Sequence, residues 1–278
     1  MTDSVSPTIP KTISVPPVWI GTSLLVSVLV TITSLFGVLI ETTYSRETEA
    51  WAIQAIGQDY ANLVVVILLL GSTYTVAKHS LKGYLVWLGV FLYLIYAFMI
   101  YAFAVHFQFL FLAYVLILGL SFYTVVGGLI SVDRESIVQS LQGNPKAKMV
   151  SGLLFGIGAL FSLLWLSEII PNLISGTISQ GLGETQLWTN PVHVLDLAFL
   201  LPGMIITSVL IRNGRAAGYL MAVPLLVFAA TMGLGILAMF GLSAQKNLPW
   251  SLPAGIMVGT IIVLSTVFCY LFLKEIKE

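Results

Sequence analysis

Charge is scarce in this chain. Asp, Glu, Lys and Arg make up 9% of its 278 residues, against about 25% in an ordinary soluble domain. So little charge cannot clothe a water-facing surface, which excludes a soluble enzyme and a disordered chain. A basic face is missing as well. Twelve Lys and Arg offset twelve Asp and Glu, so no net field draws in a polyanion and no nucleic-acid partner is expected. The single cysteine, Cys269, excludes an internal disulfide and a thiolate metal cluster. There is no GxxxxGK[ST] loop, hence no nucleotide drive from this chain, and no GxSxG or Ser-His-Asp signature. The three histidines show no HExxH or HxxxH spacing, and no two lie deep in separate spans as a membrane haem requires. No cofactor is expected, and no metal site is assigned.

What is abundant is apolar. Hydrophobic residues are 58% of the chain and the mean hydropathy is +1.00. About 20 apolar residues cross a bilayer core of about 30 Å. Eight such runs are present: Val18–Ile40, Ala61–Val76, Gly83–Phe103, Phe109–Ile130, Met149–Ile170, Val192–Ile211, Ala217–Gly241 and Pro253–Leu273. The fold class is therefore all-α, a polytopic transmembrane bundle of eight spans. Only residues 104–108 separate the third run from the fourth, so a tight hairpin is expected around His106. The first run is too long for the apolar core of a cleaved signal peptide and no A-x-A-like site follows it. Residues 1–17 are rich in Ser, Thr and Pro and are expected to be a disordered cytoplasmic tail.

Lys and Arg concentrate on the cytoplasmic side of membrane proteins. With eight spans, Lys11, Lys78, Lys82, Arg134, Lys146, Lys148, Arg212, Arg215, Lys274 and Lys277 share one side, and only Arg46 and Lys246 fall on the other. The ten-to-two split predicts cytoplasmic N- and C-termini. The acids run oppositely. Seven (Glu41, Glu47, Glu49, Asp59, Glu168, Glu184, Asp196) lie on or near the outer side and five inside, leaving −5 outside and +5 inside. An acidic outer vestibule would concentrate cations, although acids are also simply displaced from a lysine-crowded inner face.

Part of the pattern occurs twice. Glu41 closes the first span and Glu168 lies near the end of the fifth. Asp59-Tyr60-Ala61-Asn62-Leu63 opens the second span, and Asp196-Leu197-Ala198-Phe199-Leu200 lies near the start of the sixth. Gly83-Tyr84-Leu85 opens the third and Gly218-Tyr219-Leu220 the seventh. Four spans is an even number, so two such repeats point the same way, related by an axis along the membrane normal. The predicted organisation is a repeat over 18–130, a cytoplasmic linker over 131–148, a second repeat over 149–273 and a tail over 274–278.

Ionisable groups inside a span are costly and are functional candidates by default. Asp59 and Asn62 share a helical face, and Thr73 lies three turns further along it. The stripe reads equally as a solute path or as a hydrogen-bonded seam between helices. Asn190 and Pro191 suit the start of a helix, which puts His193 and Asp196 one turn apart on one face. That pair reads as a proton relay or ligand site, or as an ion pair closing the helix start. Glu41, His106 and Glu168 are secondary candidates. The second and third runs lack proline, but the sixth has Pro202-Gly203 and the seventh Pro224, and proline bends a membrane helix. Gly152-x-x-x-Gly156 and Gly255-x-x-x-Gly259 are close-packing signals that suit a homo-oligomer. Aromatics crowd the third and fourth runs, with Tyr93 and Tyr101 on one face. Those near the outer end suit an interface belt, and the deeper hydroxyls need partners.

The stretches Tyr96–Ser121 (YAFMIYAFAVHFQFLFLAYVLILGLS) and Pro191–Leu225 (PVHVLDLAFLLPGMIITSVLIRNGRAAGYLMAVPL) resemble a family of uncharacterised prokaryotic multi-pass membrane proteins. The resemblance covers most of the chain from about Gln58 onward. It implies a prokaryotic cell membrane and brings no catalytic motif. Three functions stay open. One is a transporter- or channel-like protein for a small solute or cation, its path lined by Asp59, Asn62, His193 and Asp196. Another is an intramembrane enzyme or redox/metal protein at the outer leaflet using His193 and Asp196 with Glu168. The third is a non-catalytic subunit of a membrane complex. The residues favour the first slightly and lean against an enzyme.

Overall fold

A computed structural model describes residues 13–276. Among them are ten helices and no strand: α1 (Pro17–Leu39), α2 (Glu49–Ala77), α3 (Leu81–Ala104), α4 (Phe111–Ser131), the short α5 (Arg134–Leu141), α6 (Ala147–Ser175), the short α7 (Gln180–Thr185), α8 (Pro191–Arg212), α9 (Ala216–Gln245) and α10 (Leu252–Lys274). All but α5 and α7 are long and apolar enough to cross a membrane, so the eight expected spans are present. Large apolar side chains cover the outside, Ile67, Leu163, Ile206 and Val263 among them. Water does not tolerate such a continuous apolar surface. This is an integral, multi-pass membrane protein.

The ends of the helices follow from local chemistry. Pro17 opens α1, where its missing N–H costs nothing. Side chains of Thr48, Ser80, Asn190 and Ser251 accept from the first free backbone N–H groups of α2, α3, α8 and α10. Within α1 the hydroxyls of Thr22, Ser23, Ser27 and Thr31 bond back to carbonyls one turn earlier, which satisfies them without a partner helix. Two helices run longer than the apolar runs suggest. α2 starts at Glu49, twelve residues before the expected Ala61, because its first three turns are amphipathic and its polar Gln54, Gln58 and Asp59 break the apolar run. α6 continues through Pro171 to a left-handed Gly176. Residues 1–12 of the expected disordered tail lie outside the described residues, as do Lys11 and Lys277. Ile13 and Val15 are buried, and the Ile13 carbonyl lies 2.7 Å from His79 Nδ1.

The eight spans form two sets of four. In the first, α1 packs on α2, α2 on α3, α3 on α4, and α4 back on α1. In the second, α6 packs on α8, α8 on α9, α9 on α10, and α10 back on α6. The sets meet where α9 lies against α2 and α3. Close approach there depends on glycine: a Cβ on Gly57 would meet the Met239 backbone N at 2.7 Å, and one on Gly89 the Pro224 carbonyl at 2.7 Å. Both hairpins that carry the GYL motif are built alike. His79 and Gly214, each four residues before the motif glycine, are left-handed. Ser80 N bonds Thr75 O, and Arg215 N bonds Leu210 O. Gly83 abuts Thr75 and Gly218 abuts Leu210, eight residues back in each case.

Two opposite ends result. Lys78, Lys82, Arg134, Lys146, Lys148, Arg212, Arg215 and Lys274 share one, the lysine-rich end. Arg46 and Lys246 lie at the other, the acid end, with Glu41, Glu47, Glu49 and Glu184. Gly152, Gly156 and Gly259 have nothing near them, and Gly255 meets only the edge of Phe240. The first pair therefore meets no neighbouring helix, and the second meets α9 only through Phe240.

Candidate functional site

Between the two sets lies a cavity of about 850 Å³, within the usual range for small-molecule sites. At the acid end Glu49, Glu184, Asn190 and Pro249 border it. It reaches Met204, thirteen residues past the start of α8, or about 20 Å by helical rise. No residue of the lysine-rich end lines it. The wall is mostly apolar and aromatic, with four methionines, Met204, Met232, Met239 and Met257. Methionine is unbranched and polarisable, so such a wall adapts to varied shapes.

One aspartate belongs to this wall. Asp196 stands where α8 changes pitch, in a π-helical stretch over Asp196–Leu200. The following Pro202 explains the change: it has no N–H to give and its ring crowds the carbonyl four residues back. The backbone widens instead of breaking, a local form that often accompanies function. Tyr96 Oη of α3 donates to Asp196 Oδ1 at 2.8 Å, and Trp165 Nε1 of α6 donates to Oδ2 at 2.7 Å. Each carboxylate oxygen keeps a lone pair for a ligand. His193 does not bond Asp196 directly. Its ring packs on Trp165 with centroids 4.6 Å apart, and its Nε2 lies 3.8 Å from Glu168 Oε2. Trp165 thus stands between the two members of the pair expected from their spacing.

Asp59 lies elsewhere. It is 1% exposed and does not line the cavity. Tyr44 Oη donates to its Oδ2 at 2.6 Å, and Tyr101 Oη lies 2.9 Å from its Oδ1. Tyr44 sits in the turn between α1 and α2. Burial pushes its phenol well above the ordinary range, so it stays protonated and available to donate. Gly37 makes room: a Cβ there would run into Asp59 Oδ2 and meet Tyr44 Oη at 2.9 Å. Asn62 is buried and hydrogen-bonded across helices. Its Oδ1 accepts from Tyr93 Oη at 2.8 Å and its Nδ2 donates to Ser34 Oγ at 3.3 Å, tying α1, α2 and α3 together. Gln58 donates to Tyr93 Oη and lines the cavity. Thr73 Oγ1, three turns further along, is buried without a partner.

Of the four expected path residues, Asp59, Asn62, His193 and Asp196, Asp196 alone lines the cavity. Tyr96 and Tyr101, five residues apart on α3, hold Asp196 and Asp59 respectively. Five residues is about 140° around a helix, so the two aspartates meet different faces of α3. Of the secondary candidates, Glu41 is exposed. His106 takes both its backbone N–H and its Nδ1 to Glu47, at 2.7 and 2.8 Å, and locks the α3–α4 hairpin to the α1–α2 turn. Among the described residues no three His, Cys, Asp or Glu converge as a metal site. Tyr44, Tyr96 and Trp165 were not singled out from the sequence as site residues. The available signal was general: a buried phenol or indole N–H needs a partner, and few polar partners exist here.

Comparison with protein-family models, with curated proteins and with solved structures gives no match.

Proposed function

We propose that the protein is a transporter-like membrane protein that binds an amphipathic organic cation in the cavity between its two halves. The ligand would have a largely apolar body and a hydrogen-bond-donating head for Asp196. The cavity itself carries this reading: it is deep, apolar, bordered by Glu49 and Glu184, and has Asp196 in its wall. A one-sided cavity between two helix sets suits alternating access, in which the sets rock about a fixed site. We further propose that the sets are parallel repeats, an idea supported by the matching hairpins. The lysine-rich end would face the cytoplasm of a prokaryotic cell and the acid end of the cavity the outside. A second copy would find room against the open faces of Gly152, Gly156 and Gly259.

The test uses ethidium, a lipophilic cation with amino donors, and the full chain in lipid nanodiscs. Saturable binding is expected. Asp196→Asn should weaken it at least about tenfold, which corresponds to about 1.4 kcal/mol. Equal binding by the parent and Asp196→Asn would remove Asp196 from the site.

A further inference from the structure

We propose that Asp59 carries a proton in the folded protein, and that Tyr101 connects this proton to the cavity. The count of hydrogens leads there. Tyr101 Oη lies 2.9 Å from Asp59 Oδ1 and 3.0 Å from the Ala55 carbonyl oxygen, yet a phenol has one hydrogen to give. With Asp59 ionised, one of these two contacts brings oxygen against oxygen with no hydrogen of its own between them. With a proton on Oδ1, these contacts are filled: Asp59 donates to Tyr101, Tyr101 donates to Ala55, and Tyr44 donates to Oδ2. Asp196 differs, because Tyr96 and Trp165 each bring it a hydrogen of their own.

The surroundings agree. Asp59 is faced by Ser34 and Gly37 of α1, Tyr44 of the turn, Asn62 of α2, and Tyr93 and Tyr101 of α3, with Tyr114 of α4 beyond. All of these are neutral. None of the ion pairs among the described residues involves Asp59. A metal cation in place of the proton would need room, and the contact with Gly37 leaves none.

The way out is short. Tyr101, Ala55 and Gln58 all line the cavity. Tyr101 turns its own hydrogen from the Ala55 carbonyl to a cavity water and gives it up as it takes the hydrogen from Asp59 Oδ1. The products are an Asp59 carboxylate, an unchanged phenol and a hydronium ion, so the proton is conserved. If the cavity binds a cation, as the proposed function holds, this is the group that would exchange a proton against it.

The experiment needs no ligand, so its outcome is separate from that of ethidium binding. Infrared difference spectra of the full chain in nanodiscs at neutral pH should show the C=O band of a protonated carboxylic acid. It should vanish in Asp59→Asn and persist in Asp196→Asn. The amide of Asn donates where Oδ1–H did, so Asp59→Asn should melt no lower than the parent. Labelling the aspartates with ¹³C in the unmutated chain should shift the same band, which keeps the test independent of any variant's folding. In D₂O the band should shift readily in the parent and at least about tenfold more slowly in Tyr101→Phe, since the link to the cavity is cut. A band that is absent from the parent, insensitive to the ¹³C label, or retained in Asp59→Asn would overturn the proton on Asp59. Unchanged exchange in Tyr101→Phe would overturn the role of Tyr101.

Discussion

At the scale of single residues, two aspartates of similar burial are built into different chemistry by the hydrogens around them. Asp196 meets one hydrogen on each oxygen, one of them from an indole N–H that can only donate. An asparagine can serve both neighbours: its Oδ1 accepts from Trp165, and its Nδ2 donates to Tyr96, whose hydroxyl turns to accept. Asp196→Asn should therefore fold with nearly unchanged thermal stability while losing ligand binding. Asp196→Leu leaves the Trp165 N–H without an acceptor. An unmade hydrogen bond of that kind costs about 1–3 kcal/mol, so its melting temperature should fall clearly below that of Asp196→Asn. Equal melting of the two variants would show that the Trp165 contact contributes nothing. Gly37 belongs to the same scale. Gly37→Ala forces a methyl group against Asp59 and Tyr44, and overpacking of this sort costs about 1–3 kcal/mol.

At the scale of elements, the start of α2 shows what was legible and what was not. Apolar run length located every span, because a bilayer imposes a length that no other environment does. It failed at Glu49–Tyr60, where the helix continues beyond the apolar run as an amphipathic segment and borders the cavity. The Thr48 cap and the buried Trp51, Ile53 and Ala55 were the available signs. The π-helical stretch of α8 was half legible: Pro202 announced a distortion, but not that it would fall on Asp196. Helix α2 also offers a controlled test of the contact between the two sets. Gly57 sits against the Met239 backbone, and Gly71 on the same helix faces open space. Alanine is normally preferred to glycine within a helix by about 0.5–1 kcal/mol. Gly71→Ala should therefore hold or raise the melting temperature. Gly57→Ala should lower it, since backbone cannot yield as a side chain does. A drop of equal size in both would mean that α2 and α9 do not approach as closely as described.

At the scale of the whole molecule, the two aspartates could not be placed from sequence, because which face of α3 each would meet is a property of packing. The similar order of motifs in the two halves suggested equivalent positions for Asp59 and Asp196. Yet Asp59 lies 24 residues before Gly83, and Asp196 lies 22 before Gly218. Counted from hairpins of the same build, they are out of step by about half a turn. The two aspartates therefore do not hold equivalent places relative to those hairpins. Charge placement remains the strongest whole-molecule signal, and it can be tested without knowing any ligand. Eight Lys and Arg of the described residues lie at one end and two at the other, which predicts that the lysine-rich end stays in the cytoplasm. Cys269 is partly buried within α10, and its replacement by serine leaves a chain with no cysteine. Into that chain one cysteine can be placed at Gln180, which opens α7 at the acid end, or at Asn213, in the hairpin after α8. An impermeant maleimide added to intact cells should label the first and spare the second, and both should label after lysis. Labelling of Asn213→Cys and not Gln180→Cys in intact cells would invert the orientation, and would turn the acid end of the cavity towards the cytoplasm.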